Sequence, residues 1–314
     1  MLKDLGREER RYLLNLAYRL LGSFAEAEDI VQEASIRWCA LTAEERAALR
    51  SPRAWLTTVA SRLCFDLLES ARHRRERHAG VWLPEPIPED PFGELAQLRS
   101  PLAKALLSES LSMAFLVMLE ALTPAERVAW VLHEVFEYGF AEISGVLGRT
   151  PGASRQLASS ARRKLSSCST TVRGSVNPEV ISAFRVAWEE RDVETMARLL
   201  DPESVAIVDG GGLVSAEPEP LNGPIAIAKG FVGVFQREPA LEIALARTGG
   251  QPGLVALANG ELRAVIAVAG GHSRIGRLWV VRDPRKLTKW SRSCPAERIS
   301  RPCAPNSTQG SDSW

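Results

Sequence analysis

Residues 140–164 read F-A-E-I-S-G-V-L-G-R-T-P-G-A-S-R-Q-L-A-S-S-A-R-R-K. The pattern predicts two short helices meeting at a glycine-containing turn, with basic and amide side chains on the outer face of the second. A helix-turn-helix of this kind sets its second helix in the major groove of duplex DNA. Arg149, Arg155, Arg162, Arg163 and Lys164 fall within sixteen residues that contain no acid. Such a density draws phosphates and makes affinity depend on salt. Arg155 and Gln156 come early on the second helix, where arginine can take guanine and glutamine adenine bidentately. The alternative is a solvated basic helix face; the coincidence of turn and basic face favours a duplex reader.

The chain around this motif has 314 residues, enough for two or three domains with their own cores. Hydrophobic content of 45% and charged content of 25% are those of a soluble globular protein. Net charge is only +1, so a nucleic-acid surface has to come from local clustering. Cys39, Cys64, Cys168, Cys294 and Cys303 form no C-x-x-C pair and no metal-ligand spacing. Reduced thiols in a cytoplasmic protein, with no metal and no cofactor, are expected. The first residues, M-L-K-D-L-G-R-E-E-R, lack an apolar signal core, and no stretch approaches the ~20 apolar residues of a membrane span. No membrane partner is expected.

Residues 6–78 read as helices. Leu13, Leu14, Leu16, Ala17, Leu20 and Leu21 make an apolar stripe, Gly22 ends that helix and Ser23 can cap the next. Ala27, Ile30, Val31, Ala34 and Trp38 repeat the stripe, and Pro52 opens a third helix bearing Trp55, Leu56, Val59, Leu63 and Leu67. The prolines of 79–105 mark a stiff, extended linker. Helices resume over 106–165, where Thr123-Pro-Ala-Glu126 is a helix start. A Ser/Thr-rich linker over 166–176 leads to a single helix over 177–200. Then the period changes. Val205–Val208, Leu254–Leu257, Leu262–Val268 and Ile275–Val281 read as strands. The third segment, 177–290, is therefore α+β, and the Ser-, Pro- and Arg-rich tail over 291–314 is expected to be disordered.

A second basic run, Arg72-His-Arg74-Arg75-Glu-Arg77-His78, ends the Trp55 helix, with Arg62 earlier on it. Alone, such a run is most often a solvated face. Paired with the helix-turn-helix across a proline-rich strap, it suits a protein that spans two DNA elements. Asp29, Gln32 and Glu33 lie among further acids, Glu26 and Glu28. An acidic amphipathic face disfavours DNA and favours a protein partner.

A-E-D-I-V-Q-E (27–33), S-P-R-A-W-L-T-T-V-A-S-R-L (51–63), L-T-P-A-E-R (122–127) and the helix-turn-helix together resemble the extracytoplasmic-function (ECF) sigma factors over residues 10–165. W-L-P-E-P (82–86), D-G-G-G (209–212), Asn259-Gly260 and V-R-D-P-R-K-L (281–287) resemble the subgroup with a fused SnoaL-like domain. Leu213 stands where a lysine is usual, Asp283-Pro-Arg-Lys-Leu287 replaces N-P-D-K-L, and Ser160 replaces an arginine of many relatives. The resemblance implies a multidomain fold, with two all-α modules, region 2 and region 4, followed by an NTF2-like α+β cone. It implies that Asp29, Gln32 and Glu33 grip the β′ clamp of core RNA polymerase, whose β flap is a further partner surface. By the same resemblance Arg53, Ser61 and Arg62, with Arg72, Arg74, Arg75 and Arg77, read and help melt promoter DNA at the −10 element. Unstacked bases then need pockets, and single-strand phosphates need cationic support. Arg149, Arg155, Gln156, Ser159, Arg162, Arg163 and Lys164 are placed on the −35 element. Trp38 and Trp55 lie on apolar stripes and are expected to pack in the core.

Two roles compete for the third domain. As a regulator it packs on the other modules or senses a small-molecule ligand, with Trp82, Leu83 and Pro84 as the docking strap, Trp82 as an exposed anchor, and Asp209, Gly210, Gly211 and Gly212 as the receiving turn. As a pocket enzyme it would use Asp209 and His272 as acid and base. The first is favoured, with no catalytic residue assigned, because one histidine does not make a site. A helix-turn-helix regulator that never meets polymerase is the remaining alternative.

Overall fold

The computed structural model describes residues 6–75, 81–88, 111–167, 176–214 and 219–293. The first module holds α1 (Arg7–Leu21), α2 (Phe24–Ala40), α3 (Ala43–Ala48) and α4 (Pro52–Arg75). Gly22 closes α1 in the left-handed region, at φ 69, and its N–H donates to the Tyr18 carbonyl. Ser23 accepts from the Glu26 N–H to start α2. The short helix α3, which apolar periodicity does not signal, is set by a reciprocal Thr42–Glu45 capping box and buries none of its residues.

The second module holds α5 (Met113–Leu119), α6 (Pro124–Glu134), α7 (Phe140–Leu147) and α8 (Pro151–Ser167). Ser112 caps α5, and Thr123 and Glu126 form the expected box on α6. The two modules do not stand apart. Leu13, Leu16, Leu20, Val31 and Leu56 share one apolar core with Val128, Leu132, Ile143 and Ala161. Polar bonds cross the same seam. The Tyr138 hydroxyl donates to Thr57 Oγ1 at 2.9 Å, and Arg127 Nη1 donates to the Leu20 carbonyl at 3.0 Å.

The third domain begins with α9 (Pro178–Glu189) and α10 (Val193–Leu199). The single helix expected over 177–200 is two helices. Arg191 at φ 60 breaks the run, and Asp192 caps α10 through the Thr195 N–H. The strands are β1 (Leu200–Asp209), β2 (Leu221–Asn222), β3 (Leu241–Thr248), β4 (Gln251–Ala258), β5 (Glu261–Gly271) and β6 (Arg274–Val281), with α11 (Pro224–Arg237) between β2 and β3. The sheet order is β2-β1-β6-β5-β4-β3, with β1 and β6 parallel and the other neighbours antiparallel. A 3-10 turn (Pro284–Lys286) leads into α12 (Thr288–Ser293), which runs past the expected domain end at 290. The rest of the expected tail, 294–314, lies outside the described residues.

The two faces of the sheet explain the near-continuous apolar runs of β4 and β5. Leu254, Ala256, Ile266 and Leu278 pack against α9 and α11 through Phe184, Trp188 and Phe231. Val255, Leu257, Val265, Trp279 and Val281 pack the opposite way, against Leu83, Met113, Leu287 and Trp290. A sheet buried on both sides has no polar alternation to display. One of its faces is thus covered by the extended strap and by the first helix of the second module.

Candidate nucleic-acid, polymerase and strap interfaces

The helix-turn-helix is α7, a turn at 148–150 and α8. Gly148 takes φ 63 at the end of α7, and Thr150 starts α8 by accepting from the Ala153 N–H at 3.2 Å. Ser154, Ala158, Ala161 and Leu165 face the core, which leaves Arg155, Gln156, Ser159, Arg162, Arg163 and Lys164 exposed, with Arg149 exposed on the turn. Their surroundings differ. The Arg155 guanidinium lies 5.4 Å from the centre of the Phe140 ring, which stiffens a long side chain near the helix start. Arg162 pairs with Glu134. Lys164 Nζ lies 2.7 Å from Glu126 Oε2, and Ser160 Oγ donates to Glu126 Oε1 at 2.8 Å. Glu126, 5% exposed, is thus both the cap of α6 and the anchor of α8. Burial works to raise its carboxyl, but hydrogen bonds from Lys164, Thr123 and Ser160 outweigh burial and lower its pKa to about 2. Arg149, Arg155, Gln156, Ser159 and Arg163 line one shallow groove along the outer face of α8. Arg162 and Lys164 are each tied to an acid beside it.

On the first module Asp29 and Gln32 are exposed, Glu33 is half-buried and salt-bridged to Arg37 at 2.8 Å, and Ile36 next to them is 51% exposed. These side chains share one open stripe of α2. On α4, Arg53 lies over the Tyr12 ring at 5.0 Å and 3.7 Å from Glu9. Arg62 Nη2 donates to the Gly145 carbonyl of α7 at 2.5 Å. Ser61 is fully buried, so in this arrangement it offers no surface to DNA. The backbone of α4 carries Arg72, Arg74 and Arg75, whose side chains lie outside the described residues, as does Arg77. Trp38 and Trp55 pack on each other, ring centres 5.7 Å apart, and against the shared core, as their apolar stripes predicted.

The strap over 81–88 runs between the first module and the third domain and bonds to both. Leu83 faces the sheet. Its N–H donates to Asp209 Oδ2 at 2.8 Å, and its carbonyl accepts from Lys286 Nζ at 2.6 Å. Lys286 Nζ also lies 2.7 Å from Asp209 Oδ2. Glu85 faces the other way. Its carboxylate accepts from the Phe24 N–H at 2.7 Å and the Ala25 N–H at 3.4 Å, at the start of α2. Its own N–H donates to the Gly22 carbonyl, and the Tyr18 hydroxyl donates to its carbonyl, both at 2.7 Å. Burial raises the Glu85 carboxyl, against the pull of those two backbone N–H groups. Trp290 Nε1 donates to the Pro86 carbonyl at 2.8 Å, and Lys289 reaches Glu28 at 2.9 Å. Trp82 is not the exposed anchor expected. It is half-buried, with Lys286 Nζ 4.6 Å from its ring centre and Gly22 beneath it.

Asp209 is 1% exposed and does two jobs. Oδ1 accepts from the Gly211 N–H at 2.8 Å, closing the turn, while Oδ2 holds the strap. Gly210 is buried, and its carbonyl accepts from Leu213 and Val214 at 3.1 Å. Gly211 sits at φ 61, where an added Cβ would fall 2.1 Å from Asp283 Oδ2. Only glycine fits there. Gly212, at φ 71, has open space around it. Sequence reasoning missed Lys286 as the partner of Asp209, and missed Glu85 as a helix cap. A carboxylate set between two prolines, Pro84 and Pro86, was the available signal for the second.

The third domain also encloses an apolar cavity between α9, α11 and the sheet, with Trp188, Phe231 and Ile266 in its wall. Neither Asp209 nor His272 lines it. His272 is exposed on the β5–β6 hairpin. Among the described residues no cluster of three or more His, Cys, Asp or Glu could hold a metal, and no helix is long and apolar enough to cross a membrane.

Two family models match. Sigma-70 region 2 covers residues 5–74, and Sigma-70 region 4 covers residues 112–165. The chain is 36% identical over 293 residues to the ECF RNA polymerase sigma factor SigJ of Mycobacterium tuberculosis, covering 89% of this chain and 91% of that one. It is 33% identical over 291 residues to the probable ECF RNA polymerase sigma factor SigI of the same species, covering 90% and 93%. The crystal structure of M. tuberculosis SigJ superposes with a TM-score of 0.69 at 32% identity, covering 90% of this chain and 97% of that one. Its likeness extends past the helical modules into the α+β domain. With two sigma-70 regions in order, and relatives matched along nearly their whole length, the chain belongs to the ECF RNA polymerase sigma factors, which recognise promoters and initiate transcription.

Proposed function

We propose that this sigma factor rests in a closed form in which its C-terminal SnoaL-like domain, over 177–290, holds the two promoter grips together, and that initiation requires the grips to part. The observation that carries this is the bond from Arg62, assigned to the −10 element, to the Gly145 carbonyl in the first helix of the −35 reader. The two elements lie roughly two and a half duplex turns apart, about 85 Å when a turn rises ~34–36 Å. Modules bonded side chain to backbone do not reach both. The third domain reinforces the contact from outside. It brackets Leu83 of the strap, pairs Lys289 with Glu28 of α2, and buries Met113 of α5 beneath its sheet. A tethered domain keeps a high local concentration against its target, on the order of millimolar for a short linker.

In this reading Asp29, Gln32 and Glu33 meet the β′ clamp first, because their stripe is open while Ser61 is buried and the exposed Arg62 is tied to the Gly145 carbonyl. Parting the modules then frees the −10 residues and lets the groove along α8 meet the −35 duplex, with the β flap supporting region 4. The work is binding and strand separation, not covalent chemistry. The two acid–base candidates of the enzyme reading support this, since Asp209 is spent on the strap and His272 stands away from the cavity.

Transcription with core polymerase on a promoter enriched with the bound protein tests the reading. Asp209→Asn combined with Lys286→Met is expected to raise initiation. Equal or lower initiation, with core binding intact, contradicts the proposed restraint.

A further inference from the structure

The cavity of the third domain has a composition the promoter machinery does not use. Its walls are apolar: Trp188, Phe231, Val234, Leu241 and Ile266. The Trp188 indole N–H is already committed to the Phe231 carbonyl at 2.9 Å. The charged side chains of the lining are Arg237, Arg263, Arg282 and Glu238. Glu238 reaches Arg282 at 3.0 Å and Arg263 at 3.6 Å, and no second acid lines the space. Three guanidinium groups and one carboxylate therefore line an apolar chamber, and Glu261, outside the lining, pairs with Arg263 at 3.1 Å. Arg282 is the most enclosed of the pairing arginines, its side chain 16% exposed against 41% for Arg263. Burial lowers its pKa, Glu238 opposes this, and the charges of Arg237 and Arg263 lower it further. Arg237 and Arg263 are exposed while Arg282 lies deeper, and an anion beside them offsets their mutual repulsion.

We propose that this cavity binds a small amphipathic carboxylate, its acid head among Arg237, Arg263 and Arg282 and its apolar body against Trp188, Phe231 and Ile266. An arginine fork matches a carboxylate bidentately, and the walls offer a ligand body nothing to hydrogen-bond. A highly polar anion such as a sugar phosphate would leave its hydroxyls unsatisfied there. Sites of this form, apolar with a few convergent polar groups, are typical of small-molecule pockets. The site also adjoins the strap bracket. The Arg282 N–H donates to the Asp209 carbonyl at 2.7 Å. The binding claim does not depend on whether the closed form restrains transcription.

Calorimetry on the full chain tests it with octanoate and phenylacetate as probes, octanamide and phenylacetamide as neutral isosteres, and inorganic phosphate as a bare anion. The carboxylates are expected to bind more tightly than their amides by on the order of tenfold or more. Arg263→Gln, at a half-exposed rim position, and Arg282→Gln, deeper in, are each expected to remove most of that preference while leaving amide binding in place. Two further results would overturn the proposal, besides the absence of binding by every probe. One is equal affinity for acid and amide. The other is a carboxylate preference that survives both substitutions, or that phosphate reproduces alone.

Discussion

Lys286 Nζ lies 2.7 Å from Asp209 Oδ2, and both groups close on the backbone of one residue, Leu83, whose N–H the carboxylate accepts and whose carbonyl the ammonium binds. Asp209 is 1% exposed on its side chain and Lys286 14%. A charged pair this far from water stays favourable only while its hydrogen bonds are made. The strap supplies two of them. Strap release therefore strips the buried pair of two hydrogen bonds.

Asp209→Asn keeps the shape and removes the charge. Hydrogen bonds to charged groups contribute about 1.5–3 kcal/mol, and the variant also leaves Lys286 buried without its partner. Amide exchange at Leu83 is the readout. It is expected to accelerate on the order of tenfold or more in the variant, while amides in the core of α4 keep their protection.

Gly211→Ala is expected to destabilise the third domain by about 1–3 kcal/mol. The backbone is left-handed at φ 61, and the new methyl would meet the Asp283 carboxylate. Gly212→Ala carries the φ penalty alone, with open space around it, so its melting temperature should fall less. Thermal unfolding of the two variants separates the two effects.

Glu126 couples pH to the second module. Its folded pKa, about 2, lies below the ordinary glutamate value of 4.5, so its stabilisation is present above pH 4.5 and is lost as pH falls towards 2. Glu126→Gln should cost about 1–3 kcal/mol at neutral pH and make the acid-induced loss shallower. Chemical denaturation at pH 7, 4 and 2.5 measures both. Equal slopes for the two proteins would assign the acid sensitivity elsewhere.

Arg155 and Lys164 should behave differently on DNA, although both are exposed basic residues of α8. Arg155→Ala is expected to lose about 1–3 kcal/mol at one base position and little once that base is changed. Lys164 is held by Glu126, so Lys164→Ala should lower the stability of the module and weaken binding evenly across sequences. Affinities for a set of single-base variants of the bound duplex decide this.

Local patterns in the sequence disclosed much of this. Gly22, Ser23, Thr123-Pro124 and Pro52 mark helix ends through backbone chemistry that needs no tertiary context. The reading helix was legible for the same reason, since its apolar and basic faces lie within one segment. What stayed hidden depends on distant neighbours. The strand β3 alternates Leu241, Ile243 and Leu245 with polar or small residues, but Leu245 stays 42% exposed, so the run lacks the density of β4. The helix α11 contains two glycines, Gly230 and Gly233, which hide its period, yet Gly230 is where Leu221 comes close. Trp82 reads as an exposed anchor until Lys286 and Gly22 are brought beside it by the third domain. The pairings of Asp209 with Lys286 and of Arg62 with Gly145 span 77 and 83 residues, and no local spacing announces them.

The proposed closed form holds the two promoter grips together and requires them to separate at initiation. The most direct test places a dye or spin pair at Glu69 on α4 and Ser166 on α8, both exposed and neither assigned to DNA, and measures their separation in the full-length protein. A single short distance is expected in the free protein, a growing long-distance population in Asp209→Asn/Lys286→Met, and the long distance alone once core polymerase and promoter are bound. A short distance that persists in the transcribing complex would contradict the proposal.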